Sequence, residues 1–512
     1  MASIVKSFAI LGVDGYLVDV EVKEIFGQAM ISIVGLGDTA VKEARERVQA
    51  AINDSNYTFP QKKVVINLAP SDLKKSGSHF DLAIAIGLLV ETGQIVKARK
   101  EEFAFIGELS LNAKLRGCSG VLPMIIAAKE SGVSNIIVPL DNVDEASLVQ
   151  GINIYGFDSL IEVIEFMENR RDYEPHIVDR KDDEDKDTYK LDFMDVQGQD
   201  ALIEYIVIAA AGGHNLLMIG QPGCGKSMIA KRIPTILPSM TEREALEVTK
   251  IYSVAGILKT KGGLIIDRPF RAPHHNASTN SLIGGGNNAT PGEISLAHNG
   301  VLFLDEVAEF NKKTLESLRQ PMEDQMVTVS RVKYTNTYPA GFMLVAAMNP
   351  CSCGYYGSDK CKCTDYEVLK YRQKISGPIM DRMDIQKYVR PVDFINLSSY
   401  KMGKSSKEIR ERVELAREIQ KRRFEKIDKV NCNAQMGNSL IKEYCSMEAE
   451  GQKLMELAYG KFKYSARSFH KYLKVARTFA DMAGSEKIRK KDISASLMSR
   501  DLEKDKSVMA VL

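Results

Sequence analysis

Short apolar runs alternate with a helix-like pattern in the first third of the chain. VVIN (64–67), FAFIGELSL (103–111) and NIIVP (135–139) are β-rich and have the length of strands. The run FDLAIAIGLLVETG (80–93), between two of them, has the length of a helix. We predict an α+β or α/β domain at residues 1–175.

A run of charge interrupts this pattern. The segment DRKDDEDKDTYK (179–190) has no apolar periodicity and separates two well-patterned regions. We therefore predict a charged linker at residues 176–192.

Three compact apolar runs follow, and each ends in a polar cluster. They are LLMI (216–219), VLFL (301–304) and MLVAA (343–347). Such runs are typical of central strands in a parallel sheet that is covered on both faces, where ligands gather at the carboxyl ends of the strands. We predict an α/β domain with a parallel sheet at residues 193–395 and a ligand site at that end of it.

From about residue 396 the strand pattern fades and a helical one takes over. In SSKEIRERVELAREIQKRRF, one helix face carries Ile409, Val413, Ala416 and Ile419. Ser405 and Glu408 have the spacing of a capping box at its start. These signals predict a helical third domain at residues 396–512.

Composition adds limits rather than a function. Hydrophobic residues at 44% and charged residues at 27% are ordinary for globular proteins, and a net charge of +2 leaves any nucleic-acid contact to a local patch. The N-terminal apolar run is interrupted by Asp14, Asp19 and Glu21, so we expect no export signal and no membrane anchor. Eight cysteines in 512 residues are too few for a disulfide scaffold, and we expect a reducing cytoplasm.

The first polar cluster, GQPGCGKS, matches the phosphate-binding loop of nucleotide-binding proteins. Glycines permit a tight loop whose N–H groups point at phosphate oxygens, the lysine reaches the terminal phosphates, and the serine hydroxyl binds Mg²⁺. The motif follows an apolar strand and opens a helix, as this chemistry requires. The predicted ATP-binding residues are Gly220, Gln221, Pro222, Gly223, Cys224, Gly225, Lys226 and Ser227.

The other two clusters supply what hydrolysis needs. Asp305, after VLFL, can hold Mg²⁺ through its water shell, and Glu306 can orient the attacking water. Asn349 follows the third strand and can hydrogen-bond the γ-phosphate or that water; a strand-ending turn before Pro350 is the alternative. The chain is therefore predicted to hydrolyse ATP with Mg²⁺.

The segments around these motifs resemble one known family. The resemblance is carried by RAPHHNAS, LIGGGNNATPGEISLAHNGVLFLDE, LRQPMED, AAMNPCSCG and GPIMDRMDI, which look like the magnesium-chelatase-like AAA+ family of YifB and ComM. It spans nearly the whole chain. It implies an AAA+ P-loop core at 193–395, a helical lid at 396–512 and a Lon-protease-like domain at 1–175, with Asn349 as sensor 1.

Two arginines take their roles from this resemblance. It implies that Arg382, in MDRMD, is an arginine finger that enters a neighbouring subunit's ATP site, and that Arg467, in YSARSFHKYLKVAR, is sensor 2. A guanidinium can stabilise charge that develops on the γ-phosphate. Judged alone, both would be surface or helix-packing arginines. A finger supplied in trans requires an oligomer, and the family implies a hexameric ring.

Contacts with DNA are also inferred from this resemblance. The segment MVTVSRVKYTNTYPAGF (326–342) alternates as a β-hairpin does, with Arg331 and Lys333 near its bend. The family's motors have a hairpin before sensor 1 and an inserted loop, here LIGGGNNATPG (282–292), which implies DNA contacts for both. A solvated hairpin and a flexible loop are the alternatives.

Two further groups suggest metal chemistry. Cys351, Cys353, Cys361 and Cys363 form a CxC-x7-CxC arrangement that can close a tetrahedral thiolate site around structural Zn²⁺, with free or redox-paired thiols as the alternative. His274 and His275 lack an acidic or cysteine partner at ligand spacing, which favours structural hydrogen bonding.

The resemblance to Lon in the N-terminal domain implies a fold without its peptidase chemistry. In KKSGSHFDLAIAIG, His79 occupies the position of the nucleophilic serine, with Ser78 adjacent. Leu122 occupies the position of the lysine, so no amine is available there as a general base. We expect this domain to be catalytically inactive.

Three functions remain in view from the sequence. The leading one is an ATP-driven hexameric translocase or helicase on single-stranded or branched DNA, which the resemblance to ComM connects to branch migration in natural transformation. An ATP-dependent protein remodeller or protease-like factor is the alternative, because of the Lon-like domain. A motor for metal insertion, as in magnesium chelatase, is the third.

Overall fold

The computed structural model describes residues 2–28, 30–73, 75–95, 99–176, 191–258, 263–286, 289–331, 335–391, 403–427, 430–462 and 465–504. Most of the predicted linker at 176–192 lies outside the described residues.

The N-terminal part is built on a mixed sheet. Over the described residues, its strand order is β3-β4-β2-β1-β5-β8-β9, with β6 and β7 forming a separate pair. The antiparallel ladders β1–β2 and β2–β4 form one half, and parallel pairing joins β5, β8 and β9 in the other. The strands are β1 (Ser3–Leu11), β2 (Asp14–Ile25), β3 (Met30–Val34), β4 (Lys63–Ala69), β5 (Phe103–Phe105), β6 (Glu108–Leu109), β7 (Leu115–Arg116), β8 (Asn135–Pro139) and β9 (Asn153–Phe157).

Helices cover this sheet. They are α1 (Thr39–Asp54), α2 (Asp81–Glu91), α3 (Val121–Glu130), α4 (Val143–Ala146) and α5 (Leu160–Met167). Helix α2, predicted from its apolar run, is buried along most of its length. It lies so close to the sheet that a Cβ on Gly87 would be 2.7 Å from Val22 Cγ2, so the packing requires glycine there. The predicted strands VVIN and NIIVP are confirmed within β4 and as β8.

A parallel sheet forms the core of the second part. Among the described residues its order is β11-β14-β17-β10-β18, and every pairing in it is parallel. The three predicted strands are confirmed as β10, β14 and β17, and they are central and fully buried. The strands of this part are β10 (Leu216–Gly220), β11 (Phe270–Arg271), β12 (Gly284–Gly285), β13 (Thr290–Pro291), β14 (Val301–Leu304), β15 (Met326–Ser330), β16 (Thr335–Pro339), β17 (Met343–Met348) and β18 (Ile385–Val389).

Short helices connect these strands. They are α6 (Asp200–Gly212), α7 (Lys226–Ala230), α8 (Glu242–Val254), α9 (Thr279–Ile283), α10 (Glu293–Leu296), α11 (Lys312–Glu316), α12 (Arg319–Asp324), α13 (Asp365–Arg372) and α14 (Gly377–Met380). The predicted hairpin is confirmed as the antiparallel pair β15–β16.

The C-terminal part is helical over its described residues. Its helices are α15 (Ser406–Phe424), α16 (Asn438–Tyr444), α17 (Ala449–Phe462), α18 (Ala466–Met482) and α19 (Lys490–Leu497). The capping box at Ser405 and Glu408 is confirmed. Ile409, Val413 and Ala416 are buried, because α15 packs with α18 against α6.

The N-terminal part contacts the core through polar groups as well as packing. Helix α3 lies against α8, and the N–H of Gly120 donates to the carbonyl of Ser253 at 3.0 Å. The buried carboxylate of Glu145 accepts from the Ser253 hydroxyl and from the N–H of Leu122. These hydrogen bonds leave the polar groups at this junction satisfied.

Candidate functional site

The phosphate-binding loop joins β10 to α7 at the carboxyl end of the core sheet. Gly225 has a φ of 90°, a left-handed conformation that only glycine adopts without strain. Gly220 is equally restricted, because a Cβ there would lie 2.7 Å from the carbonyl oxygen of Val389. Burial raises the pKa of the Cys224 thiol, which therefore remains protonated at neutral pH. The loop geometry thus accounts for both glycines at the ends of the motif.

Lys226 is held at the mouth of this loop. Its side chain is mostly buried, and Nζ donates to the carbonyls of Gly220 at 2.7 Å and Gln221 at 3.0 Å. The same ammonium lies 3.3 Å from Oδ1 of Asn349, which follows β17. The lysine is therefore positioned where phosphate oxygens would compete for its donors.

The acidic pair lies beside the loop. The Ser227 hydroxyl is 2.5 Å from Oδ2 of Asp305, an arrangement in which one Mg²⁺ could take both oxygens as ligands, directly or through water. Lys226, Ser227, Asp305, Glu306 and Asn349 line one pocket of about 390 Å³, together with Pro222, Gly223 and Gly225 of the loop. The lysine, the serine hydroxyl and the carboxylates of this pocket fit a nucleoside triphosphate with its metal ion.

Glu306 has an unusual backbone. Its φ of 49° and ψ of 46° lie in the left-handed region, which costs a residue with a side chain about 1–3 kcal/mol. Its side chain is half exposed to the pocket, and its N–H is bonded to Oδ1 of Asp305 at 3.0 Å. The sharp turn directs the Glu306 carboxylate to the pocket side of the strand end.

His275 is a site residue that the sequence reasoning missed. Its Nδ1 lies 3.5 Å from Oε2 of Glu306, so the imidazole has an acidic partner after all. The signal was present in the strand register: Arg271 pairs with Leu302, and four residues further along each segment come His275 and Glu306. His275 and Glu306 are therefore distant in sequence, but each follows one of two paired parallel strands and they meet beyond the ends of those strands.

Arg382 and Arg467 lie elsewhere. Both line a groove of about 940 Å³ between the core and the C-terminal helices, and neither lines the pocket of the phosphate-binding loop. Arg382 pairs with Glu323 and donates to the carbonyl of Pro378 at 2.7 Å. On α18, one turn after Arg467, burial lowers the pKa of Lys471 to about 8. The groove is lined by cationic and acidic side chains alike, since Glu323, Asp381 and Asp384 lie in it with the arginines and lysines.

Asn215 connects the groove to the core sheet. Its Nδ2 donates to the carbonyl of Arg382 at 3.1 Å, and its Oδ1 accepts from the N–H of Leu344 in β17 at 2.8 Å. Because β10 begins one residue later and ends in the phosphate-binding loop, one strand spans both regions.

The two predicted DNA elements adjoin each other. Arg331, directly after β15, donates to Oδ1 of Asn280 at 2.8 Å and packs against Gly285 of the glycine-rich insert. Lys333 lies outside the described residues. The four clustered cysteines, Cys351, Cys353, Cys361 and Cys363, lie between β17 and α13 with their sulfur atoms within 4.8 Å of one another.

In the N-terminal part, the positions compared with Lon are arranged as a packed core. His79 is buried, and burial lowers its pKa to about 4, so the imidazole is neutral at neutral pH. Ser78 is hydrogen-bonded to the carboxylate of Glu108, and Leu122 is fully buried. Within the described residues, no helix is long and apolar enough to cross a membrane.

Comparison with known sequences covers most of the chain. Residues 192–397 match the family described as "Magnesium chelatase, subunit ChlI", residues 18–142 match "Subunit ChlI of Mg-chelatase", and residues 403–500 match "Magnesium chelatase, subunit ChlI C-terminal". The chain is 40% identical to the uncharacterized protein YifB of Escherichia coli over 98% of its own length and 97% of that protein.

Two other relatives extend the comparison. The competence protein ComM of Haemophilus influenzae is 39% identical over 97% of this chain and 96% of its own. The DNA replication licensing factor mcm6 of Dictyostelium discoideum is 25% identical, over 35% of this chain and 17% of its own.

The pocket geometry predicts two different defects. Lys226→Ala should abolish ATP binding, because it removes the cation that faces the phosphates. Glu306→Gln should preserve binding but lower kcat by about 100-fold or more, because only water activation is lost. Fluorescent-nucleotide titration and phosphate-release assays separate the two; equal ATP affinity in both variants would contradict this assignment.

Proposed function

The chain belongs to the magnesium-chelatase-like AAA+ family that includes YifB and ComM, and we propose that it is an ATP-hydrolysing DNA motor working as a hexameric ring. In this proposal residues 1–175 are a Lon-protease-like domain, 176–192 a charged linker, 193–395 the AAA+ core and 396–512 a helical lid. Family membership suggests ATP and Mg²⁺ as cofactors.

The separation of the arginines from the phosphate-binding loop carries the ring proposal. Arg382 and Arg467 line one groove, whereas Lys226, Asp305 and Glu306 line another pocket. A guanidinium that stabilises charge on a γ-phosphate must reach it, so these arginines fit the ATP of a neighbouring subunit better than their own. Each ATP site would then be complete only at an interface between two copies, and a closed ring gives every copy such an interface.

Two observations favour DNA as the polymer along which the motor moves. Arg331 adjoins the glycine-rich insert, so a basic hairpin and a strand pair with little side-chain bulk form one feature, which suits contact with a phosphate chain. In addition, mcm6, a relative that matches part of the chain, is named a DNA replication licensing factor, and ComM is named a competence protein. We infer a branch-migration translocase or helicase acting on single-stranded or branched DNA in natural transformation or related DNA processing.

The second candidate function is a protein remodeller or protease-like factor. It would need the N-terminal part to handle polypeptide, but Leu122 has no amine that could act as a base, and His79 is buried and, with a pKa of about 4, only weakly basic. The contact between α3 and α8 instead favours a structural role, in which the N-terminal part forms a layer that is attached to the ATPase core. A chelatase-type metal insertion motor is the third candidate.

The trans role of Arg382 gives a mixing test. Arg382→Ala should lower kcat by about 10³-fold. Mixing it with Lys226→Ala should restore activity, because an intact P-loop then meets an intact arginine at about one interface in four when subunits mix randomly. ATP turnover is measured across mixing ratios.

The control for that test is Arg422→Ala, which changes an exposed arginine on α15 and should leave turnover unchanged. A mixture as inactive as its two components would argue against a finger supplied in trans.

Stimulation by DNA tests the function itself. ATP turnover should rise when single-stranded or branched DNA is added and should fall back as salt increases, because phosphate contacts release counterions. Arg331→Ala should raise the DNA concentration that gives half-maximal stimulation, whereas Arg422→Ala should not. If no form of DNA changed ATP turnover but an unfolded protein raised it, the result would favour the protein-remodeller hypothesis instead.

The N-terminal part should have no peptidase activity. Casein incubated with the protein, ATP and Mg²⁺ should remain intact on gels, because Ser78 faces a carboxylate rather than an amine base. ATP-dependent casein degradation that disappears in Ser78→Ala would overturn this expectation.

A further inference from the structure

We propose that Cys351, Cys353, Cys361 and Cys363 bind one zinc ion, and that this zinc site braces the phosphate-binding loop. The site lies in the segment that leaves Asn349 and ends where Thr364 caps α13. All four sulfur atoms come from this short segment and lie within 4.8 Å of one another.

Three of the sulfur atoms have the spacing of a tetrahedral zinc site, and the fourth, that of Cys363, lies within 4.8 Å of them. Cys353 Sγ lies 3.3 Å from Cys351 Sγ and 3.7 Å from Cys361 Sγ, and Cys351 Sγ lies 3.9 Å from Cys361 Sγ. Zn–S bonds of about 2.3 Å in tetrahedral geometry place sulfurs about 3.8 Å apart. The cluster therefore needs only small shifts to enclose the ion.

The surroundings also suit a thiolate site. The N–H of Tyr356 points at Cys351 Sγ at 3.3 Å, and the Ser352 hydroxyl lies 3.3 Å from Cys363 Sγ. Such bonds orient ligands in metal sites. Lys360 and Lys362 lie exposed beside the cysteines, where their charges offset the net negative charge of four thiolates with one Zn²⁺.

A set of four sulfur ligands favours some metals over others. Tetrahedral thiolate sites are occupied by zinc or by iron–sulfur clusters, whereas Mg²⁺ prefers oxygen ligands. All four cysteines are free thiols, and the Sγ atoms of Cys351 and Cys353 are 3.3 Å apart, well beyond the disulfide length of about 2.05 Å. Zinc is the simplest occupant because it needs neither inorganic sulfide nor a redox partner.

The segment contacts the phosphate-binding loop directly and the core sheet through α13. Gly354 lies so close to Pro222 of the phosphate-binding loop that a Cβ on it would be 2.9 Å from the proline ring. Arg372, on α13, lies over the ring of Tyr356 and donates to the hydroxyl of Tyr388 at 3.0 Å. A loop of this size has little apolar core of its own, so a metal ion would supply the rigidity behind Pro222.

Metal content tests the site directly. The full chain, expressed with zinc and purified without chelator, should contain about one zinc per chain by elemental analysis. Cys361→Ser combined with Cys363→Ser should lose it, whereas Cys432→Ser, a buried cysteine outside the cluster, should retain it. Replacing zinc by Co²⁺ in the unaltered protein should give the charge-transfer and d–d bands of a tetrahedral thiolate site, which requires no variant to fold.

Several results would overturn the site: zinc well below one per chain, zinc retained by the double variant, iron with sulfide in its place, or disulfides among these cysteines in freshly purified protein. None of these measurements depends on ATP turnover.

The bracing role rests on the proposed ATPase function and has its own test. Zinc removal by a zinc-selective chelator, followed by return to excess Mg²⁺, should raise KM for ATP several-fold, and added Zn²⁺ should restore it. An unchanged KM in zinc-free protein would disprove bracing while leaving the motor proposal intact. Absence of ATP turnover from zinc-loaded protein would instead contradict the proposed function and leave the zinc site standing.

Discussion

Parallel pairing of β14, β17 and β10 brings three widely separated chain segments to one edge of the core sheet. Leu304, Ala346 and Leu217 are register partners, so the residues that follow each strand emerge side by side. Both faces of these strands are buried, and a shift in register would move apolar side chains relative to the helices that cover them. The loop, the acidic pair and Asn349 therefore depend on strand register more than on any direct bond among them.

The same burial explains which parts of the fold the sequence could predict. LLMI, VLFL and MLVAA are apolar on both faces, so their pattern indicates central strands without ambiguity. β18 was not predicted, because IQKYV carries polar residues that bind groups outside the sheet: Lys387 pairs with Asp501. β11 has only two residues and shows no periodicity at all.

For the site, motif chemistry predicted the residues that directly follow an apolar strand, and it failed for contacts that depend on how other segments pack together. His275 has its carboxylate partner in the turn after a different strand, β14, so ligand spacing along the chain could not reveal it. The groove of Arg382 and Arg467 likewise arises from packing of α18 against the core, and no local pattern encodes that packing. The adjacency of Arg331 to Gly285 is another contact between distant segments.

The two side-chain hydrogen bonds of Asn215 restrict which residues can occupy the position before β10. Its amide donates to the carbonyl of Arg382, in the loop before β18, and its oxygen accepts from the backbone N–H of Leu344. Aspartate has no donor to replace the first bond, and serine is too short to span both partners. An asparagine at this place in a distant homologue would thus be a signature, readable from sequence alone, that the segment of Arg382 is still tethered to the strand that leads into the phosphate-binding loop.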